Sequence, residues 1–401
     1  MNIFKINILS LLLVLFSLFN CGKNTSQNEN NNATKTSLPD VQWDKLSLMQ
    51  IDSEEKNTEN IYYSYPRMIE LQDGRLLIVF ENNGNIFASY SQDKGNSWSS
   101  KKLIAEKRNS INATVPEIIQ LKNGELLISY NLRPAANADG SYDADKKFSI
   151  AIKKSNDLGS TWGKENVLYE AGSHFENGCW EPAFAELPEG KLYIVFANEG
   201  RYTNSNEQEI SVLQSSDNGN TWSTSPQVIS FASGYRDGMP VPVITNDGKL
   251  YVAIEDNSDG GEFKPSIITL DLPWDGKQVD KVNSKRKKVL RDVFARDVYA
   301  GAPYLRQLHS GEFMLSVQST FNRNKEWNLS NMNMIVFDKK FSEYKFLDNP
   351  FPIPTDKSAL WNSFLLLKDN KTVIALTSTN AYNNYNAIWI KKGIIKYQNE
   401  N

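Results

Sequence analysis

The sequence predicts an all-β fold, a six-bladed β-propeller of four-stranded antiparallel blades closed by an N-terminal strand, and three observations predict it. The first is a repeat. Five segments run from a proline to a turn glycine eight residues on: Pro66 to Gly74, Pro116 to Gly124, Pro182 to Gly190, Pro240 to Gly248 and Pro303 to Gly311. A sixth, Asn362 to Asn370, keeps the spacing without either marker. Each is followed by a second apolar run such as RLLIVFE or KLYVAIE, and the unit recurs every roughly fifty to sixty-six residues, the period of a propeller blade. The second observation is a motif, Ser-x-Asp-x-Gly-x-Ser/Thr-Trp, present in three copies: Ser91 to Trp98, Ser155 to Trp162 and Ser215 to Trp222. The third is an apolar segment, Trp43 to Ile51, that precedes the first repeat and has no partner of its own. Pairing it with the last blade closes the ring and removes the open sheet edges.

Ahead of the propeller, Lys5 is followed by an apolar run from Ile6 to Phe19, the length of a secretory core and too short to span a bilayer. It ends at Leu18-Phe19-Asn20-Cys21, which resembles a lipoprotein cleavage box with Cys21 as the lipid-bearing residue. Residues 1–21 are therefore expected to be a lipoprotein signal peptide, and 22–40, polar and poor in apolar residues, a disordered tether. Residues 41–398 form the propeller. The expected address is the cell envelope, on an outer-membrane or cell-surface lipid anchor, or secreted or periplasmic if Cys21 carries no lipid.

Within each unit an Asp-Gly or equivalent turn makes a hairpin, and third strands follow, as in NIFASYS, FSIAIKKS and EISVLQSS. Each Ser-x-Asp motif then turns toward a fourth strand. Asp93, Asp157 and Asp217 can accept backbone N–H bonds within that turn, and Gly95, Gly159 and Gly219 permit positive φ. Strand counting puts these motifs and the hairpin turns at one end of the blades. The other end, where first strands begin and second strands finish, collects Tyr65, Arg67, Glu81, Glu117, Asn131, Trp180, Glu181, Glu255, Tyr304, Gln318 and Trp361. Carboxylates, arginines, amides and large aromatics on one mouth suit a carbohydrate pocket, where rings stack on sugars and polar groups hold hydroxyls.

A net charge of −3 with both signs interspersed argues against nucleic acid as a partner. After Cys21 only Cys179 remains, so the mature chain has no intrachain disulfide, and two histidines, His174 and His309, exclude a histidine-rich metal site. No acidic cluster has calcium-loop spacing, so no metal or other cofactor is expected. A monomer is expected. Acid–base work falls to carboxylates.

Glu181, in Gly-Cys-Trp-Glu-Pro, and Glu255, in Val-Ala-Ile-Glu-Asp, lie on neighbouring blades at the same mouth. A pair about 5 Å apart suits retaining glycoside hydrolysis, and one about 6.5–9.5 Å apart suits inversion. The apolar neighbours of Glu181 favour a raised pKa and the acid/base role. Glu255 is expected to stay ionised beside an arginine, as a nucleophile. The substrate-binding candidates are Tyr65, Arg67, Glu117, Trp180, Arg236, Asp237, Arg296, Tyr304, Gln318 and Trp361. Arg236-Asp237 and Arg296-Asp297 are read either as ion pairs that stiffen loops or as groups that grip substrate.

At these residues the chain resembles the sialidase superfamily, whose members are six-bladed propellers with Asp boxes. The likeness is closer to glycoside hydrolase family 93, the exo-α-L-1,5-arabinanases, and rests on Tyr65-Pro66-Arg67, Trp180-Glu181-Pro182, Arg236-Asp237-Gly238-Met239 and Ala300-Gly301-Ala302-Pro303. The resemblance implies a retaining hydrolysis by Glu181 and Glu255 that releases arabinobiose from the non-reducing end of linear arabinan. The loops NLRPAANADGSYDADKK and DNSDGGEFKP match no family pattern, which leaves a related furanoside or another glycan open as substrate. A sialidase is the alternative enzyme, with Arg67, Arg236 and Arg296 or Arg306 around a substrate carboxylate. Arg67 follows Pro66, however, where sialidases place the first arginine before Ile-Pro. A non-catalytic, surface-tethered glycan-binding propeller is the third reading.

Overall fold

The computed structural model describes residues 38–52, 62–383 and 385–397, so the expected leader, Cys21 and most of the tether lie outside the described residues. The described chain forms six antiparallel sheets. Blade one comprises Tyr63–Glu70, Leu76–Asn82, Asn85–Ser91 and Lys102–Ala105. Blade two comprises Ile111–Gln120, Leu126–Pro134, Ser149–Ser155 and Asn166–Glu170. Blades three, four and five open on Cys179–Glu186, Asp237–Ile244 and Ala300–Gln307, and each adds three more strands in sequence order. Successive first strands contact one another all the way round, blade six against blade one included, so they line the axis of a closed ring.

Blade six is built from both parts of the chain. Ala359–Leu366, Thr372–Thr379 and Ala387–Lys396 are completed by Asp40–Trp43, which pairs with the last strand in the register Val41 to Ile395 and Trp43 to Gly393. The closing strand thus starts at Asp40, ahead of the apolar segment the sequence singles out. That segment instead makes a 3-10 turn at Lys45–Ser47 and a second short pairing, Met49–Gln50, on the same strand. Gly393 is required by the contact, since a Cβ there would lie 2.5 Å from Val41 Cγ1.

The apolar core lies between the sheets. Each cluster of buried side chains draws on adjacent blades, as where Leu71, Leu77 and Val79 of blade one meet Ile118, Leu126 and Ile128 of blade two. Both faces of a strand are therefore covered, which explains runs such as LYIVFAN, buried at every position, in place of alternation. The Asp boxes behave as scaffold. Asp157 Oδ1 accepts from Thr161 N at 2.9 Å and Ser155 Oγ accepts from Gly159 N at 2.8 Å, and the other two copies repeat the pattern. Blade five holds an unadvertised equivalent. Asp338 accepts from the amide and hydroxyl of Ser342, but Phe341 takes a positive φ in a turn that has neither the motif's glycine nor its tryptophan.

One departure from the expected strand pattern positions the site. The marker prolines do not start the first strands but sit inside them, each strand beginning three residues earlier, or five in blade two. At that point the register of every first strand breaks, for example between Ser64 and Arg67 and between Trp180 and Ala183. The residue before each marker adopts a left-handed backbone: Tyr65, Val115, Glu181, Met239, Ala302 and Trp361 all have φ between 46° and 55°. Proline fits such a bulge because it has no N–H to lose from the ladder. It also biases the residue before it away from the right-handed helical conformation.

Candidate active site

The six left-handed residues form a ring around the axis at one mouth. Tyr65, Glu181, Met239 and Trp361 line a cleft with a free volume of about 230 Å³. Glu181, Met239 and Trp361, together with Val115 and Ala302, also roof a narrow axial channel below it. A second ring comes from the second strands, at Glu81, Asn131, Ala197, Glu255 and Gln318, and three of its members bond the left-handed residue of the next blade. Asn131 Oδ1 accepts from Glu181 N at 2.9 Å, Glu255 Oε2 from Ala302 N at 3.0 Å, and Gln318 Oε1 from Trp361 N at 2.9 Å. At Glu181, Ala302 and Trp361 the strained left-handed backbone is thereby held by bonds from the preceding blade.

Glu181 and Glu255 both line the cleft, from adjacent blades three and four. Burial pushes Glu181 up to about 7, opposed by Arg133 and reinforced by the charge of Glu255. Arg133 Nη2 donates to Glu181 Oε1 at 3.4 Å, and its guanidinium lies 4.7 Å from the centre of the Trp180 ring. Glu255 is also raised by burial, against the Ala302 N–H, Arg236 and Tyr299. This corrects the expectation that a paired arginine holds Glu255 ionised. Arg236 instead forms its ion pair with Glu199, and the closest partners of Glu255 are the Ala302 amide and the Tyr299 hydroxyl at 3.4 Å.

The other candidates divide into three groups. Tyr65, Trp180, Arg236 and Trp361 line the cleft as expected, with Tyr65 stacked on Trp361 at 4.2 Å. Arg67, Glu117 and Tyr304 lie below it. Arg67 Nε donates to Glu117 Oε2 at 3.1 Å and its guanidinium covers the Tyr304 ring at 5.0 Å, so these groups brace the axial channel. Gln318 is buried and serves Trp361 through its backbone.

Asp237 and Arg296 leave the cleft altogether. Asp237 alternates to the opposite strand face from Gly238 and is buried against Arg286, at 2.6 and 2.8 Å, and Ser230. Arg296 packs on Gly260 and Gly261 in a separate pocket with Asp259, Lys264 and Arg291. Neither Arg-Asp pair forms, since Asp297 instead pairs with Lys325. The arginines of the sialidase scheme do not all converge: Arg67 and Arg306 both lie over the Tyr304 ring, Arg236 lines the cleft and Arg296 the separate pocket.

Sequence reasoning missed Arg133, Glu199, Gln208, Tyr299, Phe175 and Phe263, all of which line the cleft. Arg133 and Glu199 were findable. Each lies nine residues past its turn glycine, Gly124 or Gly190, two beyond the position that ends the second strand elsewhere. Residues two apart on a strand share a face. Glu199 Oε1 accepts from Trp180 Nε1 at 2.9 Å, from Gln208 Nε2 at 2.7 Å and from Arg236. A carboxylate and a guanidinium fixed side by side offer an acceptor and donors to neighbouring hydroxyls of a sugar. Among the described residues no group of three or more His, Cys, Asp or Glu could hold a metal ion.

Residues 131–287 match the BNR repeat-like domain family. No curated protein matches the chain in sequence. Among solved structures, the α-L-arabinofuranosidase of Fusarium graminearum in complex with an iminosugar inhibitor is similar, with a TM-score of 0.64 and 18% identity over 91% of this chain and 99% of that one. The α-L-arabinanase of Penicillium chrysogenum complexed with arabinobiose is similar at a TM-score of 0.62 and 15% identity, again over 91% and 99%. The NanB sialidase of Streptococcus pneumoniae follows at a TM-score of 0.56 and 14% identity, over 88% of this chain and 70% of that one. Residues 131–287 are thus similar to the BNR repeat-like domain family, and the six-bladed propeller that contains them is a fold shared with arabinanases and sialidases.

Proposed function

We propose that the protein is a retaining glycoside hydrolase that acts from the chain end on an arabinan-type or related polysaccharide, with Glu181 as acid/base and Glu255 as nucleophile. The observation that carries this reading is two glutamates from adjacent blades facing one aromatic-walled cleft in different surroundings. Glu181, protonated up to about neutral pH, gives its proton to the glycosidic oxygen as the bond to the leaving sugar breaks. Glu255 attacks the anomeric carbon, giving a glycosyl-enzyme. Glu181, now ionised, takes a proton from water as that water displaces Glu255 and releases the product. The Ala302 amide and Tyr299 hydroxyl keep the attacking carboxylate aimed.

The arabinan-type substrate draws support from the family resemblance and from the arabinanase fold likeness. A lipid at Cys21 would hold the monomeric enzyme at the cell envelope. Labelling with a fatty acid that is lost in Cys21→Ser tests that anchor.

The decisive experiment offers linear arabinan, branched arabinan and a sialoside to the enzyme and identifies the products. Arabinobiose from linear arabinan, with its first-formed anomer retained by NMR, is the expected result, and release of sialic acid would replace this reading with the alternative enzyme. Glu181→Gln and Glu255→Gln should each lower kcat by about 10²–10⁴-fold while leaving ligand affinity close to wild type. Full turnover in either variant would sink the mechanism.

A further inference from the structure

Single exposed apolar side chains are ordinary on a folded surface, but exposed aromatics gathered beside one cleft mark a candidate binding surface. Among the described residues, three aromatics are counted with the exposed large apolar side chains: Tyr62 at 43%, Phe175 at 52% and Trp327 at 51%. All three border the same cleft. Phe175 lines it and packs on Trp180 with ring centres 4.8 Å apart. Tyr62 and Trp327 both meet Trp361, which lines the cleft on its blade-six side. Trp361 Nε1 donates to the Tyr62 hydroxyl at 3.1 Å, and the Trp327 ring lies 6.2 Å from the Trp361 ring at 57°. The other exposed large apolar residues, Leu46, Leu103, Val167, Val282 and Ile394, are aliphatic and do not line the cleft.

Trp327 belongs to a single turn, Trp327–Leu329, between the second and third strands of blade five. That turn carries no other large ring, and the Trp327 side chain stays half in solvent. Trp361 is anchored from two sides, by the stack on Tyr65 and by its backbone bond to Gln318. From the cleft outward, Tyr65 stacks on Trp361, the Trp327 ring meets Trp361 at an angle, and Tyr62 joins Trp361 through its hydroxyl. We propose that Tyr62, Trp361 and Trp327 form a stacking platform for sugar units of a polymeric glycan beyond the unit held at the cleft, so that the protein favours long chains over short ones. Sugar is the occupant because the apolar faces of its rings match these surfaces, and because the platform is continuous with a cleft whose carboxylates and guanidinium suit hydroxyls.

The proposal rests on the glycosidase reading of the cleft, and the test separates the two. In the full chain, Trp327→Ala should lower kcat/KM on linear 1,5-arabinan about three- to tenfold while leaving kcat/KM on a trisaccharide unchanged, and Trp327→Phe should restore most of the loss. An equal loss on both substrates, or no loss on the polymer, overturns the platform. Binding is read independently of turnover by electrophoresis through gels containing linear arabinan, with Glu181→Gln as the carrier. Retardation that Trp327→Ala weakens supports the platform even if no bond is cleaved. Absence of retardation in the carrier itself overturns it.

Discussion

Glu181 carries both a strained backbone and a strained ionisation, and the two have one origin. Its position at the bulge turns the side chain toward the axis, where burial raises its pKa from the ordinary 4.5 to about 7. The folded state thus holds the proton more tightly than the unfolded chain. Stability from this group is fully present below pH 4.5 and is lost as pH rises through 7. Glu181→Gln should therefore leave the melting temperature unchanged at pH 4 and raise it at pH 8, by about 1–3 kcal/mol of stability. A variant no more stable than wild type at pH 8 would show that the carboxylate is not held neutral. The same protonation predicts that activity falls as pH rises through about 7, since the acid form is then lost. A pH–kcat/KM profile measures it.

The Asp boxes and the bulged first strands are elements of opposite kind, although both recur around the ring. The box closes on itself: carboxylate, serine hydroxyl and the following amides satisfy one another beside the hairpin turns, where Lys94 also bridges to Glu70 at 2.8 Å. Asp157→Ala removes acceptors for the Thr161 amide and hydroxyl, so it should lower the melting temperature and leave kcat/KM on any substrate unchanged. A selective loss of activity would contradict the assignment of that face to scaffold. The bulged strand, by contrast, turns its side chain toward the mouth, and at Glu181, Ala302 and Trp361 it takes its backbone support from the neighbouring blade. That arrangement explains why the conspicuous motif is structural and the short Trp180-Glu181-Pro182 is the part to test for chemistry.

At the scale of the whole molecule, the ring has to be closed before any mouth exists. The N-terminal segment supplies the fourth strand of blade six and buries Val41 and Ile51 in two different inter-blade clusters. Deleting residues 40–52 exposes the edge of the last strand and removes both side chains, so cooperative unfolding should be lost or shifted far downward in calorimetry. A truncated protein with unchanged melting would refute closure by this segment.

The fold was legible in the chain because repeats, turn glycines and Asp boxes are local, and each acts within a few residues of itself. Glu181, Glu255, Tyr65, Trp180, Arg236 and Trp361 were legible for a related reason: equivalent offsets in a repeat land on equivalent places around one axis. Tertiary structure decided what offsets cannot carry. Strand alternation at the bulge sent Asp237 into the blade against Arg286, and loop packing carried Arg296 into a pocket of its own. Partners from other strands set the rest, as where Arg236 chose Glu199 over Glu255. The sequence by itself determined a propeller with one chemically loaded mouth, because periodicity is written along the chain. Only the folded structure decided which charges meet there, because those meetings are made between blades.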